Sequence, residues 1–212
     1  MKIRSWWLTV LCVLVLAGSA AAEPGAAFLE GKGGALIPLG NFNHEQDIGG
    51  AYSIAAGYEL LPFLDGVFEF THAFNPSDDD HDTFRVGDLR FRSEETHQNF
   101  IVALGPRINF LPSSYRFRPY ANVKAGWYHF ANFNSIDVNG IGKLSGDDQD
   151  AAGIQAGLGF TATVFTLFER ENDTVPLLEM TLGADCTYHH AFLGGHSDRE
   201  FLTTMGSLGF RF

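Results

Sequence analysis

Nine ionisable residues, Glu30, Lys32, Glu59, Glu69, Arg107, Lys124, Glu179, Asp185 and Arg211, sit inside runs whose other parity is mainly apolar. Five are acids and four are bases. Residues spaced by two share one face of a β-strand, so such a set can neutralise itself across a sheet. A buried charge without a partner is costly, which forces the set to pair or to stay hydrated. Arg107 and Lys124 fall on consecutive runs and are the bases placed to hold Glu59, Glu69 and Glu179. Two chemistries are open to this set: ion pairs that fill an interior, or ion pairs that exchange along a narrow conducting path.

Other groups carry weaker signals. Asp78, Asp79, Asp80 and Asp82 offer hard oxygen ligands for a divalent cation, but their spacing does not match an EF-hand loop, and a solvated charge run is the plainer reading. His189, His190, His196 and Asp198 cluster without a recognised zinc spacing, which favours solvated loop-end histidines and no metal. Phe84-Arg85-Val86 and Leu89-Arg90-Phe91 flank Gly87-Asp88, a pair suited to a tight hairpin turn. Directly opposed arginines work against that hairpin, and an irregular loop is the plainer reading.

The elements that position these residues are strands. Eight segments alternate apolar with small or polar residues: 26–37, 48–61, 64–74, 96–110, 117–132, 151–166, 177–189 and 201–212. In the second, Tyr52, Ile54, Ala56, Tyr58 and Leu60 oppose Ser53, Ala55, Gly57 and Glu59; in the first the apolar face is unusually small. The expected fold is all-β, an eight-stranded antiparallel up-and-down transmembrane barrel. A soluble barrel would alternate too, but recurrent Phe and Tyr near strand ends match the aromatic belts of a bilayer. Links of short and long length alternate, as expected for tight turns on one side and larger loops on the other.

Lys2 and Arg4, an apolar run from Trp6 to Ala17, and small residues up to Ala22 read as a cleaved signal peptide over 1–22, leaving a single barrel domain over 23–212. Cys12 lies mid-run and reads as apolar filler, which leaves Cys186 as the lone thiol. Without Lys2 and Arg4 the formal charge of −11 becomes −13, which argues against nucleic acid as a partner. The four links on the larger-loop side, 38–47, 75–95, 133–150 and 190–200, carry −10 of it. Beside an anionic membrane surface that acidic rim calls for bridging divalent cations.

Gly33-Gly34-Ala35-Leu36-Ile37-Pro38, the strand ending Gly57-Tyr58, Arg118-Pro119-Tyr120 and the terminal Gly209-Phe210-Arg211-Phe212 resemble the small outer-membrane β-barrel family. That family includes OmpX, OmpW and the transmembrane domain of OmpA. The resemblance covers the mature chain and implies an outer-membrane location and contact with outer-membrane lipid and lipopolysaccharide. It also implies that Leu208, Phe210 and Phe212 serve as the signal read by the barrel-assembly machinery. The expectation is a barrel without the peptidoglycan-binding domain of full-length OmpA relatives. The family of lipid A deacylases places His and Ser two apart, and no histidine here has that neighbour; the lipid A palmitoyltransferase needs an apolar lumen. The sequence therefore reads as a monomeric, non-enzymatic barrel, free of cofactor, with a structural or interaction role. A narrow porin-like channel is the alternative.

Overall fold

A strand leaves its edge N–H and C=O groups unpaired, and lipid offers no partner for them, so a sheet that crosses a membrane must close on itself. The computed structural model shows such a closed sheet and describes residues 25–40, 48–76, 83–86, 89–112, 114–138, 144–145, 148–167, 177–194 and 198–212. Among these residues there are ten strands: β1 (Ala27–Leu39), β2 (Gly49–Leu61), β3 (Leu64–Pro76), β4 (Thr83–Val86), β5 (Leu89–Asn109), β6 (Phe117–Val138), β7 (Leu144–Ser145), β8 (Gln149–Leu167), β9 (Leu178–Phe192) and β10 (Arg199–Arg211). Eight of them build the wall in the order β1, β2, β3, β5, β6, β8, β9, β10, every pair antiparallel, and β10 returns to β1. The seam is clamped where Ala27 and Phe212 exchange backbone hydrogen bonds of 2.8 and 2.9 Å.

Both ends of the wall are distinct. At the turn end, Pro62 and Phe63 alone join β2 to β3, and the segment from Phe110 to Arg116 joins β5 to β6. A third turn-end connection, 168–177, joins β8 to β9, and the other four connections lie at the loop end. There β5 and β6 outrun their neighbours: β3 stops pairing at Pro76 opposite Thr96, and β8 at Gln149 opposite Phe130, while β5 and β6 stay paired as far as Phe91 opposite Val138. Short β4 flanks this ribbon on one side and β7 on the other, so a small four-stranded sheet projects beyond the rim.

Period two sorts the side chains. The inward face of β1 takes Phe28, Glu30, Lys32 and Leu36; Leu29 faces out with the small Gly31 and Gly33. Large apolar residues cover the outer face of the other strands, with Leu158 65% exposed, Val123 58% and Leu104 57%. A water-soluble barrel hides such residues, whereas lipid is the solvent that favours them. Cys186 lies on the same outer face.

Rings gather at both edges of this apolar band. Phe110, Tyr115, Phe117, Phe160, Phe210 and Phe212 mark the turn end. Tyr52, Phe74, Trp127 and Phe192 mark the loop end, interleaved with outward histidines: His72 stacks on Phe100 with centroids 4.5 Å apart, and His129 on Trp127 at 5.5 Å. Each of these histidines has a polar neighbour, His129 Nδ1 lying 2.8 Å from Asp150 and His72 Nε2 3.4 Å from Gln98.

Two sequence expectations change. The segments 96–110 and 117–132 end too early at the loop end, because the strands run back to Leu89 and on to Val138 through polar sequence that alternation cannot flag. The segment 84–91 does form a hairpin, with Phe84 opposite Phe91 and Arg85 opposite Arg90. Gly87 and Asp88 at its turn lie outside the described residues, as do 1–24 with the signal peptide and the acidic run Asp78, Asp79, Asp80 and Asp82.

Candidate functional site

An eight-stranded barrel is just wide enough for its inward side chains to meet, so the lumen is the place where remote strands exchange chemistry. Small residues make room for large ones. A Cβ added at Gly159 would lie 2.6 Å from the Tyr120 ring, and one at Gly153 would lie 2.5 Å from that of Tyr128. Inward glycines on β8 thus leave the space that two tyrosines of β6 cross.

Ion pairs fill the half nearer the turn end. Lys32 on β1 donates to Glu69 Oε2 at 2.8 Å and to Asp185 Oδ2 at 2.7 Å, and Lys124 on β6 lies 3.0 Å from the same Glu69 oxygen. Two lysines and two carboxylates therefore form one neutral cluster that ties β1, β3, β6 and β9 together. Thr71 and Tyr120 donate to its carboxylates from the side, at 3.3 and 3.2 Å. Lys124 is 2% exposed and Glu69 5%, a depth at which ions persist only when paired.

A second pair lies closer to the turn end. Both Nη atoms of Arg107 donate to the two oxygens of Glu30 at 2.8 Å, the fork geometry that makes guanidinium and carboxylate a matched pair. The guanidinium carbon also sits 4.6 Å from the centre of the Phe28 ring and 4.4 Å from that of Tyr120. Arg211 pairs with Glu59, and Arg118 lies 3.9 Å from Glu179. Asp65 accepts a 2.9 Å hydrogen bond from Asn109. Among these groups a polar cavity of about 20 Å³ leaves space for a water or two.

The half nearer the loop end is different. Leu36, Ile101, Tyr128, Phe130, Phe201 and Met205 are buried together with Ala51, Ala73, Ala151 and Ala191 in one apolar cluster. At its lower border His189 stacks on Phe201 with centroids 4.5 Å apart, and its ring nitrogens lie 3.0 Å from Thr203 Oγ1 and 3.3 Å from Tyr128 Oη.

All nine expected ionisable residues line the lumen, but their partners differ from the expectation for Arg107. It holds Glu30, three strands away, and neither Glu59, Glu69 nor Glu179, because the first is taken by Arg211, the second by the two lysines and the third by Arg118. Arg118 and Asp65 join the interior unannounced, although each shares parity with a residue already placed there, Lys124 and Glu69 respectively. The ion pairs occupy the half nearer the turn end, while the apolar cluster in the other half is bordered by the buried Asn75, His97 and Asn99 and by Arg199, whose guanidinium lies 4.5 Å from the centre of the Phe130 ring. The histidine cluster is divided as well: neighbours on a strand face opposite ways, so His189 is buried inside while His190 is outside, 3.0 Å from Glu200 and 3.6 Å from Asp198. His196 lies outside the described residues.

Comparison with known proteins addresses the fold. No protein-family profile and no curated protein sequence matches this chain. Among solved structures, the attachment invasion locus protein Ail of Yersinia pestis, crystallised with the heparin analogue sucrose octasulfate, superposes with a TM-score of 0.53 at 12% identity, over 90% of this chain and all of that one. The outer-membrane protein OprG of Pseudomonas aeruginosa gives 0.49 at 10% identity, over 90% of this chain and 97% of that one. Neisserial surface protein A gives 0.48 at 15%, over 88% and 97%. The closed wall, its apolar outer band and the superposition on Ail agree: the chain has the fold of a small eight-stranded outer-membrane β-barrel.

Proposed function

We propose that this protein is an integral outer-membrane barrel with a structural and interaction role and a closed lumen. The observation that carries the reading is the stacking of two filled layers across one lumen, the cluster of Lys32, Glu69, Lys124 and Asp185 below and that of Leu36, Ile101, Tyr128, Phe130 and Phe201 above. An ion that broke into the lower layer would next have to pass the packed rings of Tyr128, Phe130 and Phe201, which offer it no replacement for its hydration shell. The turn end is periplasmic and the loop end extracellular, with acidic connections and the projecting sheet of β4 to β7 presented outward. Leu208, Phe210 and Phe212, on the outer face of β10 beside the closing seam, serve assembly. The chain has no catalytic role in this reading.

Liposome swelling tests it. Vesicles holding the folded barrel should swell in isosmotic arabinose no faster than empty vesicles. Swelling that scales with barrel content would establish the narrow channel instead.

A further inference from the structure

Asp198 and Glu200 are spaced by two where β10 begins, so both present to the outer face, and Glu200 is the register partner of His190 on β9. The His190 ring stands between them: Nδ1 lies 3.0 Å from Glu200 Oε1 and Nε2 3.6 Å from Asp198 Oδ2. The Tyr188 hydroxyl, two residues back on β9, also hydrogen-bonds Glu200. Oδ1 of Asp198 accepts the Leu193 N–H at 3.1 Å. Phe192 meets the imidazole edge-on, with centroids 4.7 Å apart. On β8 the facing residue is Ile154, and the next charged residue on that face is Asp150, which His129 holds.

The number of donors decides what this arrangement binds. A neutral imidazole has one N–H and one lone pair. With its proton on Nδ1, the Nε2 lone pair faces the Asp198 carboxylate; with the proton on Nε2, the Nδ1 lone pair faces Glu200. The imidazolium alone has a donor for each. A metal ion is poorly served, because the carboxylates lie at opposite nitrogens and no single ion meets both together with the ring. His129, His72 and His189 differ in this respect. They face one carboxylate, an amide, and two hydroxyls that can each donate or accept, and a neutral ring serves all three.

We propose that His190 is a proton-operated fastener at the loop end: when charged it holds Asp198 and Glu200 at once, tying the entry of β10 to the end of β9 and the Leu193 amide through Asp198. The sign follows from the donor count. In mild acid the ring is charged and both contacts are made. As rising pH discharges it, one carboxylate turns to water, and the two side chains are 39% and 41% exposed, so either has a path. Glu200 keeps Tyr188 as a second donor, which makes Asp198 the one released, and with it the Leu193 N–H. The fastener lies on the outer wall and works the same whether or not the lumen conducts.

The test uses the full chain, isotope-labelled and folded in detergent, with its fold verified by a heat-dependent gel shift. Nuclear magnetic resonance reads the two ring nitrogens of His190 and the exchange protection of the Leu193 amide at about pH 5.5 and about pH 8.5, either side of the range in which histidine changes charge. At the lower pH both ring nitrogens should carry a proton. Leu193 protection, corrected for the intrinsic pH dependence of exchange, should be at least about threefold greater there, the size expected of half-exposed ion pairs. H190Q and D198N should each abolish that difference while keeping the gel shift, and H129Q should preserve it. A single proton on the His190 ring at the lower pH, or equal Leu193 protection at both, overturns the proposal. So does a difference that survives in H190Q or D198N, or one that H129Q also removes.

Discussion

Arg107 and Glu30 lie on β5 and β1, three strands apart around the wall, and are joined by two parallel hydrogen bonds of 2.8 Å through the lumen. Phe28 and Tyr120 flank the guanidinium, and both ions are buried, Arg107 4% and Glu30 3% exposed, so removing one leaves the other as an unpaired interior charge. Arg107→Ala should therefore cost about 3–5 kcal/mol, read as a lower urea midpoint for unfolding in lipid vesicles. R107M/E30L should recover most of that loss, since both buried charges go together. A double variant no more stable than Arg107→Ala would show that the pair itself is not the source of the cost.

The two lysines are unequal. Lys32 bridges Glu69 and Asp185, whereas Lys124 meets Glu69, which Lys32 also holds. Lys32→Met should then destabilise more than Lys124→Met, with Asp185→Asn relieving part of the first and none of the second. The measurement is a set of urea unfolding curves on the four proteins, and equal midpoints for the two lysine variants would contradict the assignment.

Much of this was legible in sequence because parity alone decides which residues share a face. Ser53, Ala55 and Gly57 against Tyr52, Ile54 and Ala56 could be sorted without coordinates, and so could the nine ionisable positions. Partner choice was not legible. Which carboxylate Arg107 meets depends on barrel shear and on how far each side chain reaches across the lumen, neither of which leaves a mark on spacing. The apolar upper layer was missed for a different reason: Leu36, Ile101, Tyr128, Phe130 and Phe201 lie on the inward parity of strands whose outward parity is apolar as well, so alternation weakens at that end. His189 and His190 show the opposite case, where adjacency in sequence suggested a cluster that period two forbids.

Phe201 lies at the centre of the upper layer, against His189 and Tyr128. Removing its ring leaves a cavity that a hydrogen-bonded wall cannot collapse, so Phe201→Ala should cost about 3–5 kcal/mol. A midpoint within about 1 kcal/mol of the wild type would mean that this end of the lumen is loosely filled.

Position along the wall sets the cost of a charge on its outer face. Leu158, midway along β8, should lose about 2–4 kcal/mol on substitution by Arg, while Gln149→Arg at the loop-end rim of the same strand should lose about 0–1. Equal effects in vesicle unfolding would contradict the placement of the bilayer.

Current across a planar bilayer is the most direct test of the closed lumen. Folded barrel, confirmed by its heat-dependent gel shift, should add no discrete steps to the membrane current at any voltage the bilayer tolerates. Discrete steps from the wild-type protein, altered in size by Lys124→Met, would show that the ion-paired layer opens and that the apolar layer above it does not seal.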